Sequence, residues 1–255
     1  IGERSGYQGT PNSSVGFLID DIDYSGQGGI ATLFDVDQVE VYRGPQGSRS
    51  GANALAGLIY IKTKDPTDEF EGTSEVTIGD YGTQNIGVAF GGPMQNKNMK
   101  YRLVVRTDYA DGFRKNIYLN KSDTSKKDEL TLRYKLKWEI DESTNINLVV
   151  SKIDMDDPAD IWTIDGSLNT LSDRPGMDSQ VTDSFGIKIT KNYSNFDLQS
   201  FTNATKTDVV FSYDADWGNA ESHFPYIYDY FSETLRKRDT FSQEIRFLSN
   251  NPEFS

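Results

Sequence analysis

FDVDQVEVYRGPQGSRSGANALAGLIYIKTKDP, residues 34–66, is the stretch that decides the fold. Val36, Val39 and Val41 form a β-branched run that Gly44-Pro45 cuts short, because proline fixes φ and offers no backbone donor. Gly47, Gly51 and Gly57 punctuate a small-residue segment, 48–56, with little side-chain bulk to hold backbones apart. Leu58-Ile59-Tyr60-Ile61 resumes a strand, and Lys62 to Pro66 leaves it. The order is strand, tight turn, short helical turn, strand, exit.

Beyond Pro66 the pattern changes. Phe70–Ile78 and Thr83–Phe90 read as strands around a Gly79–Gly82 turn, with Gly91-Gly92-Pro93 ending the second. Met99–Tyr109 follows, with Tyr101, Leu103, Val105 and Tyr109 on one face. Glu129–Ile140 alternates over twelve residues, Leu130, Leu132, Tyr134, Leu136, Trp138 and Ile140 against Glu129, Thr131, Arg133, Lys135, Lys137 and Glu139. Asn145–Asp154, Gln180–Thr190, Phe196–Thr207 and Arg238–Ser249 complete about eight antiparallel strands. A tilted strand crossing a bilayer needs about 9 to 11 residues. A lumen on one face and lipid on the other demands this pattern, and a two-layer soluble sandwich also accepts it. The connections bear on the choice. Short and long ones alternate from Gly91 onward, as outer-membrane barrels do with short inner turns and long outer loops. On the barrel reading Leu132, Leu136, Val149 and Ile187 point outward.

Composition narrows the class. The 255 residues carry net charge −13, no cysteine and one histidine, which argues against nucleic acid and removes disulfides and thiolate metal sites. The 12% aromatic content favours strands. No run of 18 apolar residues marks a transmembrane helix, which says nothing against a barrel. A lone His223 gives no Ser-His-Asp set, and no carboxylate pair is singled out by spacing, so no catalytic residue, metal site or cofactor is expected.

Val39-Glu40-Val41-Tyr42-Arg43-Gly44-Pro45, the glycines at 47, 51 and 57, and Ile59–Pro66 together resemble the end of the plug domain of TonB-dependent outer-membrane receptors. The likeness covers roughly residues 15–92. It implies a mainly β protein: a small mixed α/β plug over 1–66, incomplete at its beginning, then the first strands of a transmembrane β-barrel over 67–255, in a family whose barrels have about 22 strands. It further implies a fragment of an active transporter, not an enzyme, in the outer membrane of a Gram-negative bacterium. Its partners would be outer-membrane lipid, a scarce nutrient such as a ferric siderophore, and the TonB energy-coupling complex, reached through a segment before residue 1. A passive outer-membrane channel or adhesin, and a soluble β-sandwich that binds glycans, are the alternatives.

Candidate residues follow. Glu40 and Arg43 are either solvated strand ends or, as the resemblance implies, charges that lock the plug to the barrel wall. Gly44, Pro45, Gly47, Gly51 and Gly57 are the plug motif. Tyr24, Ser25 and Gln27, in the loop YSGQGGI, are either plain loop residues or ligand contacts, and Trp217 and Tyr226 are aromatic ligand-contact candidates in the 208–237 segment. Asp20, Asp21 and Asp23 miss the EF-hand spacing, so a turn competes with a cation loop there. The same choice holds for the acidic run from Asp154 to Asp160. Gly47–Gly51 lacks the Gly-Lys-Ser/Thr ending of a phosphate loop.

Overall fold

Residues 14–27, 30, 32–47 and 54–250 are described by a computed structural model, and they fall into two principal sheets. The first is built from β1 (Val15–Ile19), β2 (Ile22–Asp23), β3 (Val36–Arg43) and β4 (Gly57–Thr63), in the order β2-β1-β4-β3. β1 and β4 run parallel and the other pairs antiparallel. The expected helical turn and Gly51 lie outside the described residues. β1 stops short of the expected Ile22 because Asp20 and Asp21 adopt φ of 49° and 68° and turn the chain.

The remaining strands are β5 (Glu71–Ile78), β6 (Gln84–Pro93), β7 (Met99–Ala110), β8 (Lys115–Asn116), β9 (Lys127–Asp141), β10 (Thr144–Pro158), β11 (Asn169–Thr170), β12 (Met177–Asn192), β13 (Phe196–Asp214) and β14 (Phe231–Ser249). Eight of them form one sheet in the order β14-β13-β12-β10-β9-β7-β6-β5, each antiparallel to its neighbours. β8 and β11 pair in parallel and tie two long connections together.

The strands overrun the sequence boundaries. β6 continues to Pro93 because Gly91 lets β7 approach closely: a Cβ there would lie 2.2 Å from the Tyr101 carbonyl oxygen. β13 and β14 extend to Asp214 and back from Phe231, so the segment read as 208–237 is a connection over 215–230. In the same way the 155–179 segment narrows to 159–176. The short turns at 94–98, 142–143 and 193–195 lie at one end of the sheet. The long connections at 111–126, 159–176 and 215–230 lie at the other.

Period two gives the large sheet two unlike faces. One carries Val76, Ile86, Val88, Val105, Val150, Phe185, Phe241, Ile245 and Phe247, all exposed. Leu132 and Leu136 share this face, and so does Ile187, which pairs with Leu148. Val149 does not. It pairs with Lys135 and Gly186 and packs against the buried cluster of Phe17, Ile22, Tyr24, Ile30, Ile61, Ile153 and Met155. The expectation that Val149 points outward is therefore corrected: Val150 takes that place, and Val149 faces the small sheet. A second cluster joins Phe34 to Ala89 and Val104.

Candidate functional site: the seam between the two sheets

The polar face of the large sheet, not its apolar face, packs on the small sheet. Arg102 (β7) and Arg133 (β9) reach Asp35, at the foot of β3. Arg102 Nε donates to Asp35 Oδ2 at 2.8 Å and its Nη2 to Oδ1 at 2.5 Å. Arg133 Nη2 donates to the Asp35 carbonyl at 3.3 Å and lies 3.4 Å from Oδ2. The Asp35 side chain is 1% exposed, and Arg102 spends its remaining nitrogen on Glu71 at 2.7 Å. Asp35 adopts φ 59°, a conformation that Asp and Asn tolerate better than most residues, so the turn itself aims the carboxylate at the wall. A bidentate guanidinium–carboxylate pair in a dry site is strong in geometry, and removing one partner typically costs about 3–5 kcal/mol.

A second group forms nearer the short turns. Lys135 Nζ donates to Asp65 Oδ1 at 2.7 Å and to the Thr63 carbonyl at 3.2 Å, with Asp20 Oδ1 at 3.4 Å. Asp20 in turn accepts from Thr63 N at 2.9 Å and Thr63 Oγ1 at 2.5 Å. Burial pulls the Asp65 carboxyl up, but the Lys135 and Lys62 ammoniums outweigh it and hold it below the usual carboxylate range. Burial, followed by the charges of Asp21 and Asp20, pushes the Tyr60 phenol well above the ordinary tyrosine range. A cavity of about 190 Å³ opens beside this group, lined by Asp21, Tyr60, Lys62, Gly186, Lys188 and Asn203 among others.

The third group is uncharged in its side chains, apart from one arginine. Tyr24 Oη lies 2.6 Å from Ser184 Oγ and 3.3 Å from Ser151 Oγ. Thr207 Oγ1 and Gln180 Nε2 donate to Gln27 Oε1 at 3.1 Å and 3.3 Å. Asn203 Nδ2 donates to the Asp21 carbonyl at 2.9 Å, and Arg238 Nη1 to the Ser25 carbonyl at 2.6 Å.

The structure thus places the residues singled out in the sequence as follows. Tyr24, Ser25 and Gln27 are buried in the seam, bonded to the wall, and do not face open space. Glu40 accepts a hydrogen bond from its neighbour Tyr42, and Arg43 is exposed. Among the described residues, neither forms an ion pair with the large sheet. Asp20, Asp35 and Asp65 make those contacts. Gly44 has φ 83° and donates its N–H to the Ala56 carbonyl at 3.0 Å, and the strand ends before Pro45. Gly57 is opposite Arg43, where a Cβ would sit 2.7 Å from the Tyr42 carbonyl oxygen. Gly47 has open space around its Cβ position. Trp217 and Tyr226 are exposed on the 215–230 connection, where Tyr226, Tyr228 and Tyr230 stack in series. The acidic run does not act as one unit. Asp160 is buried and accepts from Asn116 Nδ2 at 2.9 Å and Thr170 Oγ1 at 2.6 Å, joining the 111–126 and 159–176 connections.

The arrangement of a small sheet gripped by the polar face of an antiparallel wall has close counterparts among solved structures. The ferric yersiniabactin uptake receptor FyuA from Yersinia pestis superposes with a TM-score of 0.80 at 18% identity, covering 94% of this chain and 37% of that one. This is the fold of the TonB-dependent outer-membrane receptors. The siderophore receptor PiuA from Acinetobacter baumannii superposes with a TM-score of 0.67 at 17% identity, over 91% of this chain and 34% of its own. In sequence, an alignment of 158 positions that spans 57% of this chain is 24% identical to the vitamin B12 transporter BtuB of Vibrio vulnificus and covers 26% of that protein. No family model matches the chain. The chain spans about a quarter to two fifths of the length of these relatives.

The sequence did not single out Asp35, Arg102, Arg133 or Lys135 as a site. Arg102, Arg133 and Lys135 were visible as the polar half of alternating strands. What was missing was their partner, one aspartate among many in a chain rich in them.

Proposed function

We propose that the chain is the plug and first wall strands of a transporter that takes up a scarce nutrient across the outer membrane of a Gram-negative bacterium, with a ferric siderophore as the favoured cargo. Residues 1–66 act as plug and residues 67–255 as wall. Energy comes from an inner-membrane TonB complex pulling on the plug through a segment before residue 1. The work is transport, with no covalent chemistry and no resident cofactor.

One observation carries this reading: the face of the large sheet that binds the small sheet is the charged one, through Arg102, Arg133 and Lys135, while the apolar face is bare. A soluble sandwich buries its apolar face against a second layer, so Phe241 at 72% and Ile78 at 81% exposure argue against it. Lipid is the environment in which such a face is stable. A passive channel has no use for a sheet held in its lumen by buried ion pairs.

Three receptor-type relatives of the fold are named for iron chelates or vitamin B12, which supports a bulky chelate as cargo. The test is growth and iron-55 uptake by a receptor-deficient host carrying the full-length gene, supplied with a panel of ferric chelates and labelled cobalamin. The account predicts accumulation of one of them that disappears when TonB is deleted. Uptake that persists without TonB would support a passive channel.

A further inference from the structure

The inward-facing arginines of the large sheet sit on carboxylates, except at one place. Arg102 is paired with Asp35 and Glu71, Arg106 with Glu75 and Asp108, Arg133 with Asp35, and Arg246 with Glu244. Arg236 and Arg238, on β14, have no carboxylate partner among the described residues, in a chain with 39 acidic side chains against 26 basic ones. Register fixes their face: Arg238 is opposite Thr207 and Arg236 opposite Val209, and the Thr207 hydroxyl donates to Gln27. Arg238 Nη1 donates to the Ser25 carbonyl at 2.6 Å. Arg236 makes no hydrogen bond or ion pair among the described residues. A cavity of about 20 Å³ lies here, lined by Gln27, Gln180, Thr207, Arg236 and Arg238 among others. Gln27 is 4% exposed. Its Oε1 accepts from Thr207 Oγ1 at 3.1 Å and from Gln180 Nε2 at 3.3 Å, which sets the amide, and its Nε2 is buried without a partner. A buried amide donor left unpaired is uncommon and calls for an acceptor.

We propose that this pocket binds a carboxylate of the transported solute. The donors gathered there are two guanidiniums and one amide N–H, so the group that completes them accepts hydrogen bonds and carries negative charge. Arg236 and Arg238 stand two residues apart on one face, about 7 Å along the strand, and their planar forks match a planar carboxylate. A cavity of about 20 Å³ holds one small polar group and no more. The carboxylate is therefore a terminal one, and the body of the solute stays outside the pocket. The matching cargo is a ferric chelate that keeps a free carboxylate, in preference to chelates that have none. Arg236 supplies charge to the site and holds nothing else, whereas Arg238 and Gln27 also tie residues 25–27 to the large sheet. The inference rests on the uptake reading for what carries the carboxylate, and on the pocket alone for the carboxylate itself.

Equilibrium binding to the purified full-length receptor tests the pocket apart from transport. The probes are iron-55 complexes of citrate and aerobactin, which keep free carboxylates, and of enterobactin and desferrioxamine B, which have none. The enterobactin complex is itself an anion, so it separates carboxylate recognition from simple charge attraction. Saturable binding is expected for a carboxylate chelate and for neither of the other two. Arg236→Gln is expected to weaken that binding about tenfold or more, the loss of one charge-assisted hydrogen bond, and Arg236→Lys to weaken it less. Failure of both carboxylate chelates to bind, preference for a chelate without carboxylates, or unchanged binding in Arg236→Gln would overturn the pocket. So would a fall in thermal stability of unliganded Arg236→Gln, because the arginine would then be holding another part of the protein. Carboxylate binding that needs Arg236, with no uptake in the growth assay, would sink the uptake reading and leave the pocket standing. TonB-dependent uptake of a chelate without carboxylates would do the reverse.

Discussion

Replacing Asp35 with Asn removes one negative charge and little else. Asn keeps the volume and tolerates the left-handed backbone that Asp35 adopts at φ 59°, so backbone strain does not enter the comparison. What changes is the environment of two guanidiniums. Arg102 loses a bidentate partner at 2.8 Å and 2.5 Å but keeps Glu71 at 2.7 Å. Arg133 loses the carboxylate oxygen at 3.4 Å and keeps the Asp35 carbonyl at 3.3 Å. Leaving a buried charge without its partner costs about 3–5 kcal/mol, and the retained contacts put this case at the lower end, about 3 kcal/mol. At about 1.4 kcal/mol per tenfold, the population in which the small sheet has come away from the large one rises roughly a hundredfold. Hydrogen exchange of β1, β3 and β4 in the full-length protein reads that population directly. Exchange in β9 and β10 serves as the internal reference. A rise below about threefold in the plug strands would refute the reasoning, because Asp35 would then not be holding the sheets together.

The remaining predictions concern three other sites. Gly57→Ala forces a Cβ to within 2.7 Å of the Tyr42 carbonyl oxygen, and is expected to weaken β3–β4 pairing by about 1–3 kcal/mol, read as faster exchange at 39–43. Unchanged exchange there would show that the strands shift at no cost. The Asp65 carboxyl is held below its ordinary value in the folded protein, so its contribution is full above the unfolded value and is lost as pH falls through the folded one. Exchange at 64–68 should therefore rise only below the ordinary carboxylate range, and Asp65→Asn should flatten that response. An unchanged pH profile in the variant would assign the effect to another group. Asp160→Ala deprives Asn116 and Thr170 of a charged acceptor, each such bond being worth about 1.5–3 kcal/mol, and should make 111–126 and 159–176 sensitive to protease added from outside the cell. Resistance equal to that of the unmodified protein would mean the connections are held by other contacts.

How far the sequence could be read depended on whether one or both faces of a strand are apolar. On β9, Leu130, Leu132, Leu136 and Ile140 lie on the outward face while Arg133 and Lys135 face the small sheet, so alternation was clean and both the strand and its faces were legible. On β10, Leu148, Val149 and Val150 are three apolar residues in a row. The buried cluster around Phe17 and Ile61 makes the inner face apolar here too, and the sequence alone gives no parity. The extra length of β13 and β14 was hidden for a related reason. Asp208 and Lys237 stand on strands that continue past the apolar stripe, and charge there read as loop. The end of β3 and the start of β4 were legible in their glycines, since a left-handed φ at Gly44 and the close approach at Gly57 leave few other choices. The charges that join the two sheets were not, because an ion pair between Asp35 and Arg102, 67 positions apart, leaves no local pattern.

The parity at Val149 and Val150 offers the most direct test of the whole account, since it asks whether this sheet has lipid on one side and a plug on the other. Nitroxide labels are attached at Val149→Cys and Val150→Cys in the full-length receptor in bilayers, and their relaxation is measured with oxygen and with a water-soluble nickel complex. The account predicts that the label at 150 is relaxed by oxygen and shielded from nickel, and that the label at 149 is shielded from oxygen against the plug. Reversed parity would contradict it, as would two labels equally open to nickel, because the wall would then not separate lipid from a plugged lumen.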